Sequence, residues 1–163
     1  MCIRDRFQVI NVAAAAYQFV ILDIGSHVSA ATALGIQACD MVMLVTTPDV
    51  IAVRDAYRRL KLLQALGLEG ERIKLVVNRF RQKTFVSLED IQTNLGIKVS
   101  ATVAEDVKTV EQATNEGKLI REVNRRSETA RNIAALVALL TEEDDEDSDD
   151  PSAKSGLFGW FGG

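Results

Sequence analysis

Cysteine is scarce in this chain. Only Cys2 and Cys39 are present, with no C-x-x-C and no Cys/His cluster. That excludes a disulfide framework and gives no zinc-ligand spacing, and it fits a reducing, cytoplasmic setting. His27 is the single histidine, and no serine or cysteine nucleophile signature accompanies it. It reads as a polar loop residue. Cys39, in QACD before an apolar run, reads as packing. No apolar run reaches the roughly 18 residues of a membrane-spanning helix. Arg4 and Arg6 ahead of VINVAAAA, Val9 to Ala16, imitate a secretory leader, but Asp5, Gln8, Asn11 and Gln18 interrupt the pattern.

The 163 residues suffice for one domain with a real core, and 47% of them are hydrophobic. The net charge of −4 conceals an asymmetry. TEEDDEDSDD, Thr141 to Asp150, holds eight of the 23 acids. Residues 1–141 keep the other 15 against 18 of the 19 lysines and arginines, a balance of +3. A block of like charge reads as a solvated linker, here residues 142–155, followed by an apolar tail at 156–163. The opening MCIRDR, Met1 to Arg6, is similar to a translated sequencing-library adapter. It is therefore set outside the fold, leaving residues 7–141 as the domain, with an N-terminal part expected to precede it.

Four short apolar runs, rich in β-branched residues, alternate with helical patterns: 19–23 (FVILD), 41–46 (MVMLVT), 73–78 (IKLVVN) and 99–103 (VSATV). Runs of this length suit strands buried on both faces. Asp49 to Gly67 has helical spacing, with Asp49 as cap and Gly67 as stop. Ser87 to Gly96 is a second helix, with Asp90 three residues after the capping Ser87. Glu105 to Gly117 and Ser127 to Leu140 are two more. Strands alternating with helices predict an α/β fold with a mostly parallel sheet and flanking helices.

In such a sheet, ligands bind at the carboxyl ends of the strands. Asp23, Thr46, Thr47 and Asn78 all fall at or just after predicted strand ends. Asp23 closes a buried run, a position where a carboxylate holds magnesium in nucleotide-hydrolysing proteins. It fits equally a cap on the next helix. Gly25 allows close approach to a phosphate, and Ser26 can donate a hydrogen bond. The phosphate-cradling pattern G-x-x-x-x-G-K-[ST] is missing, and LGLEGERIK, Leu66 to Lys74, does not match it. The chain alone is thus not expected to hydrolyse a nucleotide. Arg58, Arg59 and Lys61 read as a solvated helix face, without the aromatic interleaving of a nucleic-acid surface.

FVILDIGS (Phe19 to Ser26), LVTTPDVIAVRDAYRRLKLL (Leu44 to Leu63), KLVVNRF (Lys74 to Phe80) and the segment Val86 to Ile120 resemble, in order and spacing, the C-terminal half of a MinD/ParA-type ATPase. RSETARNIAAL and VSLEDIQ look closest to its CpaE/TadZ branch, which acts in pilus assembly. The resemblance implies a partial P-loop NTPase fold of Rossmann-like three-layer form, with ATP and magnesium as ligands. It implies that Asp23 acts on magnesium through water, and that Gly25 and Ser26 lie in the switch sensing the γ-phosphate. Asn78 would read adenine. Asp55 would lie near the signature lysine and the dimer interface. Ala104 and Asp106 would flank the base, although the family usually has proline where Ala104 stands.

The implied protein is a homodimer that positions a cellular assembly such as a pilus or secretion apparatus, in the cytoplasm or peripheral to the inner membrane or cell pole. A non-hydrolysing TadZ-like scaffold is the alternative. A receiver domain, with Asp23 as phospho-acceptor, would need a lysine ending a later strand, where VVNR offers Asn78 and Arg79. The ending KSGLFGWFGG resembles a membrane-targeting tail. Leu157, Phe158, Trp160 and Phe161 could insert, but Lys154 is its only cation.

Overall fold

The computed structural model describes residues 3–25 and 29–141, with the side chains of residues 3–7, Ala31 and Thr141 left out. Met1, Cys2, Ser26, His27, Val28 and residues 142–163 lie outside the described residues. The expectations for the acidic linker and the apolar tail therefore lie outside them too.

Three parallel strands form the sheet: β1 (Val42–Thr46), β2 (Ile73–Phe80) and β3 (Val99–Ala104), in the order β1-β2-β3. Three of the four predicted runs are thus strands, each within two residues of its expected limits. Parallel neighbours require a crossover, and each crossover carries a helix. α1 (Ile3–Ala16) and α2 (Ala30–Ala38) precede the sheet. α3 (Val50–Ala65) joins β1 to β2, and α4 (Leu88–Leu95) joins β2 to β3. α5 (Val107–Glu116), α6 (Ile120–Val123) and α7 (Glu128–Thr141) follow. The chain divides into two compact units between Glu105 and Asp106.

In the first unit, the pleat sends alternate residues to one face. Leu44 registers with Leu75 and Thr46 with Val77, so these side chains share that face. Val53, Ala56, Leu60 and Leu63 of α3 and Ile91 and Leu95 of α4 complete the core against them, and Ile36 of α2 joins it. Spacings of three and four residues explain why those α3 positions are buried together. The opposite face is less covered, since Val45 of β1 is 55% exposed. Asp49 caps α3 by accepting the Ala52 amide at 2.9 Å. Ser87 and Asp90 form the expected capping box of α4, and Gly96 ends that helix with φ 69°.

The fourth predicted strand is absent. Residues 19–23 form no ladder, and Phe19 and Ile21 are 47% and 84% exposed. A strand is held by pairing and by cover on its faces. β1 pairs with β2 alone, and nothing among the described residues pairs with 19–23. The segment ahead of this run is helical: α1 lies on α2, with Ile10 and Leu22 against Gly35, where a Cβ would meet each at 3.7 Å. The helical backbone includes residues 3–6 of the adapter-like opening.

In the second unit, α5 packs on α6 and α6 on α7. Asp106 is the N-cap of α5, with its Oδ1 accepting the Thr109 amide at 3.1 Å. Its Oδ2 accepts the hydroxyl of the buried Ser127 at 2.9 Å, immediately before α7. One carboxylate therefore joins the N-terminal ends of two helices.

Candidate functional site at the strand ends

A parallel sheet places all its carboxyl ends on one edge. Here that edge carries Thr46, Asn78 and Ala104. Thr46 registers with Val77, the neighbour of Asn78, and Phe80 registers with Ala104. Thr46 is buried, while Asn78 and Ala104 are half-buried, so polar groups open outward from an apolar floor.

The end of β2 has an unusual backbone. Arg79 has φ 52° and is the one non-glycine residue with positive φ among the described residues. The Arg79 amide donates to Asn78 Oδ1 at 2.8 Å. That bond fixes the side chain of Asn78 and leaves its Nδ2 without a partner among the described residues. The left-handed turn also directs the chain toward β3. The Glu105 amide donates to the Phe80 carbonyl at 3.1 Å, and Arg81 forms an ion pair with Glu105. These two ties fasten the end of β2 to the end of β3. Nothing in the sequence signals them, because the turn contains no glycine.

Thr47 and Asp49 form the loop after β1. The Thr47 hydroxyl donates to Asp49 Oδ2 at 2.5 Å. That bond, together with the Ala52 amide, holds the Asp49 carboxyl below the ordinary carboxylate value.

The other expected site residues are not gathered here. Asp23 is exposed on an irregular segment, not at the end of a buried strand. Without a ladder for residues 19–23, nothing carries its side chain to the sheet edge. Its Oδ1 accepts the Gly25 amide at 3.4 Å, and Gly25 has φ 58°. Ser26 lies outside the described residues. Asp55 is on the exposed side of α3 and pairs with Arg58 at 3.3 Å, a contact typical of a solvated helix face. Asp106 spends both oxygens on the helix ends of the second unit, and these bonds hold its carboxyl below the ordinary value, led by the Thr109 side chain. Cys39 is half-buried, and desolvation pushes its thiol up.

The residues present suit part of a nucleotide. An asparagine amide beside an apolar strand edge can pair with the edge of a base. Magnesium is different. No group of three or more His, Cys, Asp or Glu among the described residues could hold a metal ion, and Asp23 lies on a segment with no strand ladder. A magnesium ion held by Asp23 through water would take its other ligands from the nucleotide.

Comparison with known proteins points to one group. A MinD homologue of Arabidopsis thaliana chloroplasts is 31% identical over 155 residues, covering 89% of this chain and 46% of its own length. A ParA family ATPase of Chlorobium tepidum superposes with a TM-score of 0.79 at 21% identity, over 85% of this chain and 57% of the other. The chain is a relative of the MinD/ParA-type P-loop ATPases. Its three-stranded parallel sheet with flanking helices matches their Rossmann-like fold. A MinD from Pyrococcus horikoshii, solved with Mg-ADP, superposes with a TM-score of 0.73 at 18% identity, over 91% of this chain and 60% of the other. No protein-family model matches the chain. It spans less than half the length of the curated MinD relatives it matches. Among the described residues, no helix is long and apolar enough to cross a membrane.

Proposed function

We propose that the carboxyl edge of β1, β2 and β3 is the base-binding half of an adenine-nucleotide site, in a MinD/ParA-type protein that uses ATP to place a cellular assembly. The observation that carries this reading is the meeting of Thr46, Asn78 and Ala104 on one edge, with Asn78 held by the Arg79 amide. Asn78 Nδ2 donates to a ring nitrogen of the base, and the free lone pair of its Oδ1 accepts from the exocyclic amine. The Arg81–Glu105 ion pair holds the floor on which the base packs beside Ala104. The solved relative that carries Mg-ADP supports the class of ligand.

The names of the relatives favour division-site placement as the task of the whole protein. A solved Aquifex aeolicus complex pairs MinD with MinC, which makes a protein of that kind a candidate partner. The narrower CpaE/TadZ reading, with pilus or secretion partners, rests on the RSETARNIAAL and VSLEDIQ segments. Homodimerisation, magnesium held through Asp23, a γ-phosphate switch at Gly25 and Ser26, and contact of Leu157, Phe158, Trp160 and Phe161 with a membrane belong to the same proposal. A non-hydrolysing scaffold is the second reading. It is favoured by Ala104, which stands where the resemblance expects proline.

The test is equilibrium binding of a fluorescent adenine nucleotide, displaced by unlabelled ADP or GDP. ADP displaces it and GDP does not, and Asn78→Ala weakens binding by about tenfold, the loss of a hydrogen bond worth about 1.5 kcal/mol. Equal displacement by GDP would sink the base-reading role.

A further inference from the structure

We propose that the arginine cluster at the N-terminal end of α7 is a docking surface for the chain's own acidic segment, Glu142 to Asp150. Between Lys118 and Arg131 the second unit carries five cations and two carboxylates. Arg121, Arg125, Arg126 and Arg131 are all exposed. Arg121 lies on α6, which packs against α7, and Arg125 and Arg126 occupy the turn between the two helices. The Arg131 guanidinium donates to the Arg126 carbonyl at 3.0 Å, which draws the far end of the cluster onto the turn.

Neither carboxylate forms a salt bridge with these arginines among the described residues. Glu122 is occupied by the Leu119 amide at 2.8 Å, and Glu128 sits in the first turn of α7. Four exposed arginines thus lie on α6, the turn after it and the first turn of α7 with no salt bridge among the described residues. Like charges so placed repel one another, and a complementary anion relieves that repulsion.

The same chain supplies the complement. Eight acids lie between Glu142 and Asp150, and they begin directly after α7 ends at Thr141. From Thr141 back to Arg131 is ten residues of helix, roughly 15 Å at the helical rise. An extended run of nine residues reaches roughly 30 Å. The acidic run is therefore long enough to fold back along α7, meet Arg131 first, and still reach Arg125 and Arg126. A separate anionic partner would have to compete with a segment tethered at high effective concentration. The run thus also screens the arginines from other polyanions.

Paramagnetic broadening tests this in the full chain. A nitroxide is attached at Ser148→Cys in a Cys2→Ser, Cys39→Ala background, and amide intensities are read at about 20 mM and about 500 mM salt, where screening is weak and strong respectively. Docking predicts that amides from Arg121 to Arg131 lose at least roughly half their intensity at low salt and recover it at high salt. It also predicts that Arg125→Ser with Arg126→Ser, two exposed positions that leave the fold intact, removes the broadening. Unchanged intensities at low salt would show a solvated run and overturn the proposal. So would broadening centred on Arg54, Arg58 and Lys61 of α3, or broadening that persists in the double variant.

Discussion

Asn78 Oδ1 accepts the backbone amide of Arg79 at 2.8 Å, and Arg79 turns with φ 52°. The two features belong together. The hydrogen bond fixes the Asn78 side chain against the following peptide plane, and the left-handed φ of Arg79, which arginine disfavours, redirects the chain beyond it. A side chain held in this way is aimed before any ligand arrives, which lowers the ordering cost of binding.

The first prediction concerns that backbone. Glycine adopts the left-handed region without steric cost, so Arg79→Gly should leave stability unchanged or raise it by about 1 kcal/mol. Arg79→Val should lower it by more than Arg79→Ala does, because a β-branched residue fits that region worst. Urea unfolding of the three variants checks the order. A Val variant as stable as the Gly variant would contradict the strained turn.

The second concerns the core beneath the site. Leu75 is fully buried on the sheet face that meets α3 and α4. Leu75→Ala should cost about 2–5 kcal/mol, through lost burial and the cavity left behind. Thermal unfolding measures it, and a loss below about 1 kcal/mol would show that this face is not the packed one.

The third uses pH. Hydrogen bonds from Thr109 and Ser127 hold the Asp106 carboxyl below its ordinary value of 3.8. A depressed carboxylate stabilises the fold above its unfolded pKa, and that stability is lost as the pH falls toward the folded one. At pH 6 the native protein should therefore be more stable than Asp106→Asn, with the gap closing below pH 3.8. Ser127→Ala should shrink the same gap. Denaturant midpoints across the acid limb test the sign, and a gap that widens toward low pH would refute it.

Much of this architecture was legible in the sequence. The runs that became β1, β2 and β3 are β-branched and continuous, and the turn chemistry around α3 and α4 marks their ends. Asp49, Ser87, Asp90 and Gly96 all act as their residue types predict. FVILD carries the same apolar signal, but hydrophobicity reports a preference for burial and cannot supply the neighbouring strand that a ladder needs. Asp23 is expected at the sheet edge on the strength of that run, and the run forms no ladder among the described residues. α1 is not among the expected helices, because VINVAAAA imitates a secretory leader, yet Ala13 to Ala16 have high helix propensity. Asn78 reads as a site residue at a strand end, whereas the left-handed turn at Arg79 beside it has no glycine to announce it. Asp106 is expected beside a base; its cap on α5 is local, but its bond to Ser127 joins residues 21 apart in sequence.

The central claim is that adenine binds where β1, β2 and β3 end. Amide chemical shifts of the labelled chain, followed during titration with Mg-ADP, test it most directly. The account predicts that the largest changes fall on Asn78, Arg79, Ala104 and Glu105, that GDP gives much smaller ones, and that Asn78→Ala moves the titration to about tenfold higher ADP. Shifts confined to other parts of the chain, or the same shifts with GDP, would contradict it.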